Sequence, residues 1–172
     1  MSQSKGKEVS RVEHPIPPVF DNNSRILILG SFPSVKSRET GFFYGHPQNR
    51  FWKVLSYLAN EELPESVEEK KAFLLRNRIA VWDVIASCTI AGSSDSSIRD
   101  AVPNDLSVIL DHARISRVFC NGNTSYTLYV KYLQNKTGYT AQKLPSTSPA
   151  NAAWKMEQLC EAWKECLVYC RE

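Results

Sequence analysis

Residues 30–52, GSFPSVKSRETGFFYGHPQNRFW, follow directly on the apolar run Ile26-Leu27-Ile28-Leu29. From Asn49 to Leu58 the apolar residues then return at helical spacing. The run in front has the length and branching of a buried strand, so the segment joins a strand to a helix. In an open parallel α/β sheet, that junction faces the ligand crevice. A tight turn, adjacent aromatics, a histidine and an amide are concentrated in it, and loops of this kind carry function more often than packing.

The same alternation repeats outward from this segment. Strands are expected at Arg25 to Leu29, at Ile79 to Trp82 with Asp83 at the end, at Arg117 to Cys120, and at Thr140 to Leu144. Helices are expected from about Gln48 to Leu58, from Ser66 to Asn77, from Pro103 to Ala113, and after Asn121-Gly122-Asn123. A last helix runs to about Cys170 with Trp154, Leu159, Trp163 and Leu167 on its apolar side. Residues 87–100, with their Gly-Ser-Ser-Asp-Ser-Ser run, have the composition of a functional surface loop. The economical architecture is a three-layer α/β/α sandwich around a central parallel sheet of about four strands. The loops at 30–34, 83–87, 121–124 and 145–151 then line one crevice.

The chain has 172 residues and 42% hydrophobic content, enough for one domain with a proper core. Residues 1–15 read as a disordered leader, because they carry charge and serine with almost no large apolar groups, and 16–172 as a single domain. The N-terminus lacks a signal-peptide core and no apolar run is long enough to span a bilayer, so a soluble cytoplasmic protein without a membrane partner is expected. Five cysteines without a CxxC pair argue against structural zinc or a disulfide framework and read as reduced, half-buried thiols. Neither a Walker sequence nor GxGxxG is present. The net charge of +3 suits a small enzyme that approaches a polyanion without establishing that it does.

Five motifs, ILILGSFPS, FFYGHPQNRFW, VWDVIASC, FCNG and LPSTSPAN, occur in this order, each at an expected strand end. Together they resemble the uracil-DNA glycosylase superfamily, and most closely its hypoxanthine-removing branch, the DNA-deoxyinosine glycosylases. The resemblance implies an enzyme that flips a deaminated base out of DNA and hydrolyses its N-glycosidic bond without metal or cofactor, leaving an abasic site. Two positions depart from other branches. Phe32 stands where the mismatch-type branch holds its attacking water with asparagine, and Leu144 where the uracil-specific branch has a leaving-group histidine. The hypoxanthine branch shares both departures and relies on the asparagine of its HPxNxFW segment, here Asn49.

Under this resemblance Asn49 is the catalytic candidate, since an amide can hold water at the anomeric carbon; the same residue is a preferred helix N-cap. Tyr44 is placed as the aromatic that stacks on the extruded base, whereas Phe42 and Phe43 read as core. Asp83 could accept N1–H of hypoxanthine, or form an ion pair or cap. Asn121 could bond the base or only shape an Asn-Gly turn. His46 could reach a phosphate or base edge, or close a rigid turn with Pro47. Phe32 completes the base-facing set. Ser31, Ser34, Ser146, Thr147, Ser148 and Asn151 are candidate DNA contacts, with Pro149 and Ala150 as a small wedge into the gap. The same STSPAN run is also an ordinary helix start, with Thr147 or Ser148 capping. The expected partner is DNA containing a deaminated base, bound by a monomer. The alternatives are a uracil or mismatch-specific glycosylase of the same fold, a catalytically inactive DNA-binding module, and a small-molecule enzyme on a nucleotide-binding fold.

Overall fold

The computed structural model describes residues 8–171. Along the chain run β1 (Val9–Glu13), β2 (Ile26–Gly30), α1 (Val35–Thr40), α2 (Phe51–Ala59), α3 (Val67–Arg76), β3 (Ile79–Asp83) and β4 (Ile85–Ala91). They are followed by β5 (Arg99–Pro103), α4 (Ser107–Leu110), β6 (Arg117–Asn121), α5 (Asn123–Tyr132), α6 (Gln134–Thr137), β7 (Ala141–Leu144) and α7 (Met156–Cys170).

The apolar run at Ile26 becomes the centre of a four-stranded parallel sheet of order β3-β2-β6-β7. All five residues of β2 are buried, as a strand covered on both faces requires. Its side chains alternate between two cores. Ile26 and Ile28 join Phe51, Trp52, Leu55, Phe73 and Trp163, from α2, α3 and α7, on one face. Leu27 and Leu29 join Ile109 and Tyr129, from α4 and α5, on the other. The result is the expected three-layer α/β/α sandwich around a parallel sheet. Among the described residues, no helix is long and apolar enough to cross a membrane.

Four expectations are corrected. Residues 87–100 are not one loop: β4 begins just after Asp83, and with β5 and β1 it forms a second, antiparallel sheet of order β1-β4-β5. Ile85, Cys88 and Ile90 give β4 a buried side, and the serine-rich composition belongs only to the connection at 92–97. The expected leader is shorter than 15 residues. Residues 1–7 lie outside the described part, but Val9–Glu13 is a strand, held by backbone pairing to β4 while its side chains stay mostly exposed. Backbone pairing leaves no apolar pattern to read.

The helix expected at 103–113 shrinks to α4, because Asn104 turns its amide inward to donate to the carbonyls of Asp83 and Ile85. The last helix starts at Met156, not at the STSPAN run, with the Gln158 side chain accepting from Lys155 N–H at 2.9 Å. The carbonyls of Ser148, Asn151 and Trp154 accept from the Arg50 guanidinium, and those of Ser148 and Asn151 also close single turns with the N–H groups of Asn151 and Trp154 rather than an α-helical ladder. Trp154 therefore precedes the helix and is 37% exposed.

Between β1 and β2 the chain crosses the free edge of β3 as a strap. His14 N–H donates to Ala86 O, Trp82 Nε1 donates to Ile16 O at 3.2 Å, and Val19 and Val81 exchange two backbone hydrogen bonds of 3.0 Å. This crossing sets His14 beside the end of β3.

Candidate active site

The carboxyl ends of β2, β3 and β6, with the segment after β7, surround a cavity of about 630 Å³. That lies within the usual range for small-ligand sites, about 300–1,000 Å³. Gly30 ends β2 where a side chain has no room: a Cβ there would lie 2.4 Å from Asp83 Oδ1 and 3.2 Å from the Tyr44 hydroxyl. The missing side chain lets both groups close on the strand end.

Asp83, the last residue of β3, is only 4% exposed and lines the cavity. Its Oδ2 lies 2.7 Å from His14 Nε2. The imidazole sits among the rings of Phe32, Phe43 and Trp82, with centroids 5.9 to 6.3 Å away.

Tyr44 adopts a left-handed backbone, φ 53°, and stacks on Phe51 at 3.9 Å between centroids. This arrangement backs one face of the phenol ring with core and leaves the residue lining the cavity. Its hydroxyl is buried and has no hydrogen-bond partner among the described residues. Burial, reinforced by the Asp83 carboxylate, holds this phenol protonated far above its ordinary range; the nearby Asn121 amide opposes that shift without forming a well-aligned hydrogen bond. Phe42 and Phe43 are core, as expected.

Asn49 is not the N-cap of α2, a place taken by Arg50, but stands one residue ahead of it. Its Oδ1 accepts from Phe51 N–H at 3.0 Å, satisfying the first turn of α2, and the residue lines the cavity. The amide keeps its N–H pair and a second lone pair for a guest. His46 is exposed on the rim; its Nδ1 accepts from Gln48 N–H at 3.1 Å, the turn geometry that HPQN suggests. Phe32 also belongs to the lining but is 7% exposed, with the Arg38 guanidinium 5.6 Å from its ring centre.

Asn121 has structural work. Its Nδ2 donates to Thr147 Oγ1 at 3.0 Å, and its Oδ1 accepts from Thr147 N–H at 3.1 Å. Thr147 is fully buried, so its side chain is a strut and not the phosphate-facing hydroxyl expected. Ser34 caps α1, accepting from Ser37 N–H, and Ser31 Oγ donates to Asp95 at 2.9 Å. Ser146 and Ser148 accept from backbone N–H groups within their own loop, and Asn151 Nδ2 donates to Ser146 O. Pro149 and Ala150 form the tip of this loop, with Ala150 exposed beside the cavity.

Three residues here escaped the sequence reading. His14 fell in the expected leader. Arg50, inside HPQNRFW, holds the last loop through three carbonyls. Asp95 comes from the β4–β5 connection, which is tied to the strand-end loop by Val35 N–H to Ser93 Oγ, by Arg38 to Gly92 O and by Ser31 to Asp95. Asp95 is exposed as a residue, but its carboxyl turns into the rim. The enclosing protein raises its pKa, the Ser31 hydroxyl opposes this, and the Asp83 charge adds to it. A lone aspartate in a serine run gives no sequence signal of such a role.

Among the described residues no group of three His, Cys, Asp or Glu side chains could hold a metal ion. All five cysteines are unpaired and buried, more deeply than expected, and burial pushes the Cys120 thiol up to about 12. They are packing groups.

The family model described as the uracil DNA glycosylase superfamily matches residues 17–167. The chain belongs to the uracil DNA glycosylase superfamily. Two curated relatives named hypoxanthine DNA glycosylase are each 37% identical to it. The one from Methanosarcina acetivorans aligns over 81% of this chain and 89% of its own length, and the one from Methanosarcina barkeri over 78% and 85%. The fold is similar to an NMR structure of a candidate uracil DNA glycosylase from Methanosarcina acetivorans, with a TM-score of 0.79 and 32% identity over 93% of this chain and 99% of that one. Within the superfamily match stand all the candidate residues named from sequence, from Ser31 to Asn151; His14 stands ahead of it.

Proposed function

We propose that this superfamily member is a DNA repair glycosylase that extrudes a deaminated base, chiefly hypoxanthine, and hydrolyses its bond to deoxyribose, leaving an abasic site. The observation that carries the reading is the acceptor at the cavity floor: Asp83, a buried carboxylate at a strand end beside Tyr44. Deamination turns the adenine edge from N1 acceptor and amino donor into N1–H donor and O6 acceptor. A carboxylate receives the first and repels the original base. Two relatives bearing the name hypoxanthine DNA glycosylase support the choice of base.

Hydrolysis places positive charge on the sugar and negative charge on the departing base. The Asn49 amide orients water toward the anomeric carbon, while the carboxylates of Asp83 and Asp95 make the cavity favourable for a cationic sugar. Tyr44 offers the ring face not covered by Phe51 for stacking, an interaction of about 1–3 kcal/mol per base in nucleic-acid complexes. The Ser146–Ala150 segment lies where the flanking backbone would run, with Pro149 and Ala150 at the gap. We assign the chain to the cytoplasm, acting as a monomer without cofactor or membrane.

Uracil shares the same N–H and carbonyl edge, so a uracil-releasing activity of the same site is the second reading. A base-release panel on duplexes containing hypoxanthine, uracil or xanthine separates them. Hypoxanthine should be released fastest; equal or faster uracil release selects the second reading, and no release at all selects a binding module.

A further inference from the structure

We propose that His14 is a positioning residue for the base-reading carboxylate: its Nε2–H holds Asp83 Oδ2, so that Oδ1 is presented to the extruded base as an acceptor in a fixed place. This role rests on the reading of Asp83 given above. The tautomer follows from the backbone. Ile16 N–H donates to His14 Nδ1 at 3.2 Å, which makes Nδ1 an acceptor and leaves the ring proton on Nε2. The 2.7 Å contact with Asp83 is therefore a donation from imidazole to carboxylate. Both side chains are nearly closed to solvent, at 4% and 6% exposure, so no water competes for Oδ2.

Two further features separate this from ordinary packing. A buried polar pair in an aromatic surround is no cheaper than an apolar side chain of similar volume, so the pair contributes orientation rather than fill. The strap that delivers His14 is also fastened independently of the pair, by β1 pairing to β4 and by the Val19–Val81 bridge. The other carboxylate oxygen, Oδ1, approaches the Gly30 strand end beside the Tyr44 hydroxyl. A partial rotation of Asp83 about χ2 would swing Oδ1 out of this place, and the imidazole N–H on Oδ2 opposes that rotation. His14 lies ahead of the residues that the family model matches, on a strap rather than at a strand end.

The test compares His14→Leu, His14→Gln and His14→Asn in the full chain, by single-turnover release of hypoxanthine and of adenine from duplex DNA, alongside thermal unfolding. Glutamine places an amide N–H near the position of Nε2, whereas asparagine ends short of it. His14→Leu and His14→Asn should lose about 10- to 100-fold in hypoxanthine release, the scale of a hydrogen bond to a charged group. His14→Gln should recover most of that loss, and discrimination against adenine should follow the same order. If His14→Leu does not fold, the Gln and Asn variants decide. Release that survives His14→Leu, or Gln and Asn variants that are folded and equally active or equally impaired, overturns the positioning role alone. An unmutated protein that releases no base overturns the functional reading beneath it as well.

Discussion

Asn49 spends one lone pair on the fold and keeps the rest of its amide for the cavity. Asn49→Ala should therefore show two separable effects. Loss of the hydrogen bond that Phe51 N–H donates to the Asn49 side chain should cost about 1 kcal/mol in thermal or denaturant unfolding. Loss of the water-orienting amide should cost about 10²- to 10³-fold in base release, the usual scale for one oriented polar group. Gly30→Ala tests the floor of the site, because its Cβ would meet Asp83 Oδ1 at 2.4 Å. The carboxylate must shift, and single-turnover hypoxanthine release should fall by at least about tenfold while the fold persists. Asp95 links the site to pH. Since folding raises its pKa above the ordinary 3.8, its contribution to stability is complete below that value and is lost as pH rises through the folded one. Asp95→Asn should flatten that part of the profile in melting curves taken from about pH 4 to about pH 7. At this scale Asp83 was legible as the end of an apolar strand, and Tyr44 and Asn49 through the resemblance of FFYGHPQNRFW; all three line the cavity. His14 and Asp95 were illegible, since their partners Asp83 and Ser31 lie 69 and 64 residues away, with no local pattern to mark them.

Arg50 shows how one side chain organises an element. Its guanidinium draws together the carbonyls of Ser148, Asn151 and Trp154, and its own N–H donates to Thr147 O at 3.0 Å, so the loop after β7 is closed before α7 begins. Arg50→Ala should speed amide exchange across residues 148–154 and weaken DNA binding. Arg50→Lys should not restore either, because an ammonium cannot span three carbonyls with the planar fork. Both variants leave β2, β3 and the Phe51–Asn49 hydrogen bond in place, so loop mobility without unfolding is the expected result. Three of the four parallel strands were legible as short apolar runs, and α3 was legible between Ser66, which caps it, and Asn77. The second sheet was not: β1 is held by backbone bonds with its side chains outward, and β4 was hidden by the serine-rich connection that follows it. The late start of α7 was hidden because the competing partner of its carbonyls, Arg50, is about a hundred residues away.

The molecule as a whole combines a modest net charge of +3 with a cavity lined by the carboxyl groups of Asp83 and Asp95. Affinity for DNA must therefore come from backbone contacts at the rim, and discrimination from the floor. Binding should weaken steeply and linearly in log–log form as salt rises, whatever base the duplex contains, because each phosphate contact releases counterions. Free nucleotides should compete poorly. The measurement that tests the central claim most directly is single-turnover base release from matched duplexes containing hypoxanthine or uracil, by the unmutated protein and by Asn49→Ala, with DNA affinity measured in parallel. Hypoxanthine should be released faster than uracil, Asn49→Ala should lose about 100-fold or more in rate, and DNA affinity should change little on that substitution. Uracil released as fast as hypoxanthine, or an Asn49→Ala variant that keeps its rate, would contradict that claim.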